Sequence, residues 1–89
     1  MREKMSERVL IRRDAVYFGG MNLSYQLFLC RYGIVNSYQI CVQKEGERCE
    51  GVLGTDILRA LDFYQSIVQG GVTPSALDAV IKKMQLQYA

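Results

Sequence analysis

Apolar and polar positions alternate along the first half of this chain and recur at helical spacing along the second. Leu23, Tyr25, Leu27 and Leu29 share one side of an extended segment, with Asn22, Ser24 and Gln26 on the other. That period of two marks a half-buried strand. Phe28 and Cys30 interrupt the polar side, so the second face is expected to be partly covered too. Tyr38, Ile40 and Val42 alternate against Ser37, Gln39 and Gln43 in the next strand, and Arg31 to Ser37, holding Gly33 and Asn36, reads as the connecting loop. Lys44-Glu45-Gly46-Glu47 is a charged tight turn in which Gly46 supplies the positive φ of a hairpin. A two-residue turn there sets Val42 opposite Cys49, Ile40 opposite Gly51 and Tyr38 opposite Leu53, with the apolar side chains of both strands on one face. Upstream, Val9-Leu10-Ile11 and Val16-Tyr17-Phe18 flank Arg13-Asp14 within residues 8–18. This is a further β-favouring segment with room for a bulge, closed by Gly19-Gly20.

After Gly54 the period lengthens to that of a helix. Thr55 or Asp56 is the expected N-cap, and Ile57, Leu61, Tyr64 and Val68 form a stripe that Leu58, Ala60 and Ile67 widen. Gly70-Gly71 ends this helix with a left-handed cap. Thr73-Pro74-Ser75-Ala76 then places a capping hydroxyl just before a Pro at the first helical position, where its missing N–H costs nothing. Leu77, Ile81, Met84 and Tyr88, with Val80 beside them, continue at helical spacing. One apolar sheet face followed by two amphipathic helices has an economical solution, in which the helices cover that face. The expectation is a single α+β domain spanning residues 1–89: an antiparallel three- to four-stranded β-meander followed by two C-terminal α-helices packed on one sheet face.

Composition narrows the chemistry. The chain has 89 residues, 49% hydrophobic, and no His. Without His there is no Ser-His-Asp or Cys-His nucleophile system and no His-containing zinc site. The net charge is only +2, and its surplus sits at the start, where Arg2, Lys4, Arg8, Arg12 and Arg13 outnumber Glu3 and Glu7. Residues 1–7 read as a solvated, frayed or disordered start. Cys30, Cys41 and Cys49 are odd in number and form no CxxC pair, which fits reduced thiols packed as small apolar groups in a cytoplasmic protein. A Cys-only zinc site would need Glu47 or Glu50 to complete it. Val9-Leu10-Ile11, bounded by Arg8 and Arg12, is far too short for a signal-peptide core or a membrane span.

No set of residues specifies catalysis, a metal or a cofactor. Gly51-Val52-Leu53-Gly54-Thr55-Asp56 lacks the spacing and Lys of a phosphate loop, and Asp56 opposes an anion at the helix start. Glu45 and Glu47 flank a solvated turn with no apolar pocket to shift their protonation. Cys30 and Cys41 project to the face opposite the core and are direct partners only if the hairpin turns near Val35-Asn36. Among the aromatics, Tyr25 and Tyr38 belong to the core-facing set. Val16, Phe18, Phe28 and Tyr32 are the candidates for a protein interface, in a homodimer or with another protein, through the second sheet face or the C-terminal helix. Arg8, Arg12, Arg13 and Arg31, with exposed aromatics, are the candidate contacts of the alternative, a weak nucleic-acid binder.

The order of these features has a parallel. Tyr25-x-Leu27, Tyr38-Gln39-Ile40-Cys41-Val42, a charged turn, Glu50, an amphipathic helix and Val72-Thr73-Pro74-x-x-Leu77-Asp78-x-Val80-Ile81 together resemble a Firmicutes family of short proteins known only as a domain of unknown function. The likeness covers about residues 23–84, and the Val-Thr-Pro…Leu-Asp segment is its most specific part. It implies a small soluble bacterial protein with this meander-plus-two-helix order. It implies no activity, cofactor or catalytic residue. The functional expectation is a small, non-enzymatic, cytoplasmic interaction or regulatory module.

Overall fold

The computed structural model describes residues 5–87. Four strands, β1 (Met5–Phe18), β2 (Met21–Tyr32), β3 (Val35–Lys44) and β4 (Glu47–Gly54), form one antiparallel sheet in sequence order. Helices α1 (Ile57–Gln69) and α2 (Leu77–Gln87) follow and pack on one face of it. The α+β meander expected from the periodicity is the observed fold.

The β2–β3 hairpin is tighter than the composition of its loop implies. Tyr32 pairs with Val35, so the turn is Gly33-Ile34 alone, and the expected loop from Arg31 to Ser37 is mostly strand. Gly33 makes this possible at φ +63°, a conformation that costs a residue without Cβ little. The β3–β4 register places Val42 opposite Cys49 and Ile40 opposite Gly51 as expected, but Tyr38 opposite Gly54 rather than Leu53. A bulge between Tyr38 and Gln39 accounts for the slip; it lets Leu53 stay buried with the core. β1 carries two more irregularities, at Ser6 and at Ile11, and starts earlier than expected. Residues 5–7, read from the sequence as a loose start, are in the sheet, and Ser6 Oγ donates to the Arg31 carbonyl at 3.3 Å. Residues 1–4 and the Tyr88 of the second stripe lie outside the described residues.

The core is Leu23, Tyr25, Leu27, Tyr38, Ile40, Val42 and Leu53 from the sheet against Ala60, Phe63, Tyr64, Ile67, Leu77 and Ile81 from the helices. In α1 the buried line is rotated from the expected stripe. Phe63 is inside, whereas Ile57 and Leu58 are 44% and 76% exposed. Asp56 is the N-cap: its Oδ1 accepts the N–H groups of Leu58 and Arg59 at 2.9 and 3.4 Å. Asp56→Ala is expected to cost about 1 kcal/mol, read as a lower urea midpoint at unchanged slope.

The C-terminus of α1 closes as a Schellman motif, with Val72 N–H to Ile67 O, Gly71 N–H to Val68 O and Gly71 at φ +60°. The left-handed residue is Gly71 alone, since Gly70 stays helical. Thr73 precedes Pro74 as expected, but its side chain makes no capping bond, and a 3₁₀ turn over Pro74–Ala76 comes before α2. Tyr25 ties this connection to the sheet, its hydroxyl donating to the Val72 carbonyl at 2.9 Å.

Candidate functional site

Side chains on the sheet face away from the helices cover one another. Arg8, Leu10 and Arg13 of β1 share this face with Gln26, Phe28 and Cys30 of β2, Ser37, Gln39 and Cys41 of β3, and Arg48, Glu50 and Val52 of β4. Three strand spacings, about 14 Å, separate β1 from β4. The long side chains span that distance: the Arg8 guanidinium sits 3.8 Å from the centre of the Phe28 ring and 3.8 Å from Glu50 Oε2. The same Glu50 oxygen accepts from Arg48 at 2.6 Å. Cys30 and Cys41 are thereby fully buried although no helix covers them.

These thiols are not a pair. Cys30 stands opposite Ser37 and Cys41 opposite Gln26, with the Phe28–Gln39 pair between them. Cys49 pairs with Val42 on the helix side, so the three cysteines do not converge. Burial pushes the Cys30 thiol up from its ordinary range, opposed by Arg8 and aided by Glu50. A buried, protonated thiol is a poor nucleophile. Among the described residues no group of three His, Cys, Asp or Glu is placed to hold a metal ion.

The four candidate interface residues separate into two places. Val16 and Phe18 lie on the helix side near the first turn, with Val16 against the core. A Cβ on Gly71 would come within 2.8 Å of the Phe18 ring, so that ring lies flat on the helix end. Phe28 and Tyr32 lie on the opposite face, both half-buried. Arg8 covers Phe28, and Gln39 Nε2 donates to the Tyr32 hydroxyl at 3.1 Å. They do not form one surface.

The candidate anion contacts are mostly neutralised. Arg8 pairs with Glu50, Arg12 with Asp14 at 3.4 Å and Arg31 with Glu7 at 3.4 Å. Only Arg13 of the four has no carboxylate partner among the described residues. The concavity at the start of α1, lined by Leu53, Gly54, Asp56, Arg59 and Phe63, has its free N–H groups already taken by the Asp56 carboxylate.

What sequence reading passed over is the run Val9-Leu10-Ile11, 42%, 45% and 39% exposed, at the middle of outer strand β1. Three consecutive apolar residues break the alternation of a half-buried strand, and that break was the available signal. Both faces of β1 are apolar there, and its outer edge offers unpaired backbone donors and acceptors. Among the described residues no helix is long and apolar enough to cross a membrane. Comparison with protein-family models, curated proteins and solved structures finds no match to this chain.

Proposed function

We propose that this chain is a non-enzymatic protein-interaction module of the cytoplasm whose working surface is strand β1. The observation that carries the reading is the exposed Val9-Leu10-Ile11 run on an unpaired sheet edge. Strand addition at such an edge takes its affinity from main-chain hydrogen bonds and its specificity from alternate side chains. The rest of the molecule supports it. The polar side chains of the interior have their partners among the described residues, and the open face is closed by its own Arg8–Glu50–Arg48 network. The free thiols, two of them buried, fit a reducing compartment.

The alternative, a weak nucleic-acid binder, has less behind it. Arg8, Arg12 and Arg31 are already paired with carboxylates, and the Phe28 ring that would stack on a base is occupied by Arg8.

A photo-reactive benzoylphenylalanine in place of Ile11 is expected to yield discrete protein adducts, and the same probe at exposed Ser75 none. Retention of single-stranded oligonucleotide at low salt, with no adduct from position 11, would overturn the reading in favour of the alternative.

A further inference from the structure

We propose that the occupant of the β1 edge is a second copy of this chain, added as an antiparallel strand about a two-fold axis at Val9. The inference rests on β1 being the working surface and goes beyond it by naming the partner. A two-fold axis perpendicular to the sheet keeps each face on its own side, so residues that meet across it must already share a face. The irregularities in β1 decide which residues those are. Glu7 and Val9 point to the helix side, opposite Arg31 and Leu29, while Arg8 and Leu10 point to the open face, opposite Cys30 and Phe28. The extra residue Ile11 resets the alternation, placing Arg12 and Asp14 on the helix side and Arg13 on the open face.

Charge then selects among the registers. With Leu10 on the axis, Arg8 would face Arg13 and Glu7 would face Asp14, each twice. An axis at Arg8 or at Arg12 would set that arginine against itself. With Val9 on the axis, the two Val9 side chains meet, Leu10 of each copy lies against the aliphatic stem of Arg8 in the other, and Glu7 faces Arg12 twice. Cross-strand pairs of opposite charge stabilise a ladder and like charges destabilise it. Val9 is therefore the centre. The product is a continuous eight-stranded sheet with both helix pairs on the same side. Glu7 and Arg12 remain available for this, since their partners Arg31 and Asp14 are surface contacts at 3.4 Å.

The test reads the register as well as the association. In a Cys49→Ser background, Val9→Cys is expected to form a covalent dimer on mild oxidation with diamide about tenfold faster than Leu10→Cys, because only position 9 lies opposite itself. By sedimentation the unmodified chain is expected to be a dimer at high micromolar concentration. Glu7→Arg or Arg12→Glu alone is expected to weaken it about tenfold, and the two together to restore it. Circular dichroism checks that each variant folds. Equal crosslinking at positions 9 and 10, or a double variant no better than the singles, overturns the proposal. A monomeric chain whose position-11 probe still captures a different protein overturns self-pairing and leaves the interaction reading standing. A monomer with no adduct overturns both.

Discussion

Tyr64→Ala is expected to lower the folding free energy by about 3–5 kcal/mol, the range for deleting a large buried aromatic side chain. Tyr64→Phe is expected to lower it by about 1–2 kcal/mol. Urea unfolding at neutral pH checks both. The ring is fully buried between α1 and the sheet, and its hydroxyl donates to Asp14 Oδ2 at 2.8 Å while lying 3.2 Å from the Tyr25 carbonyl. Arg12 pairs with the same Asp14 oxygen and stands 5.6 Å from the centre of the Tyr64 ring. Together with the Phe18 ring at the end of α1, this group of side chains joins β1 to the helices. Losing the ring opens a cavity there, and losing only the hydroxyl leaves Asp14 without its buried-side donor.

The same hydroxyl makes stability fall at alkaline pH. Burial, then the hydrogen bond to Asp14, then the Asp14 charge hold the Tyr64 phenol well above its ordinary value of 10.0. Burial raises Tyr25 as well. For a group whose folded pKa is raised, the stabilisation is complete below the unfolded value and is lost as pH climbs from there toward the folded value. Above pH 10 the unfolded chain releases protons that the folded chain retains, so unfolding becomes easier with each step in pH. Tyr64→Phe removes one such group, and its stability is expected to fall less steeply than that of the unaltered chain above pH 10. Parallel slopes for the two proteins would show that the Tyr64 environment is not the cause.

Gly51→Val is expected to cost about 1–3 kcal/mol by overpacking. A Cβ at position 51 would collide with Ile81 Cδ1 and stand 3.7 Å from Leu77 Cδ2, so α2 rests directly on the backbone of β4. Ile81 is itself buried, so relieving the clash means turning its terminal methyl within the core or shifting α2. Ile81→Val deletes that Cδ1 atom. In the Gly51→Val background it is expected to cost less than it does alone, giving a coupling of roughly 0.5 kcal/mol or more between the two positions. Additive costs would mean that another feature of the strand demands the glycine.

These residues show where the sequence was sufficient. Tyr64 belonged to the helical stripe because its spacing from Ile57 and Leu61 is set by 3.6 residues per turn, a local property. Its hydrogen bond to Asp14, 50 residues away, depends on how far α1 crosses toward β1, and no local pattern encodes that. Gly51 opposite Ile40 followed from the turn length, since a hairpin fixes its register from a few residues. That Ile81 lands on it depends on the path of the chain after the Schellman turn. The candidate interface residues fall on two faces, Val16 and Phe18 on the helix side and Phe28 and Tyr32 on the other, which strand pairing decides. The bulge at Ile11 and the reach of Arg8 across the sheet decide which apolar groups remain in contact with water.

The sequence by itself determined the element order, the meander, the glycine of the tight turn before β4, the register of β4 at Val42 and Ile40, and the absence of any His-based chemistry. All of these are set by backbone conformation and by periods of two and 3.6, which act within a few residues. Only the tertiary structure decided that the open sheet face closes under its own charged side chains, that Cys30 and Cys41 stand apart, and that the exposed apolar run is Val9-Leu10-Ile11. Burial and pairing are sums over groups distant in the chain, so they are settled only when strands and helices have been brought together.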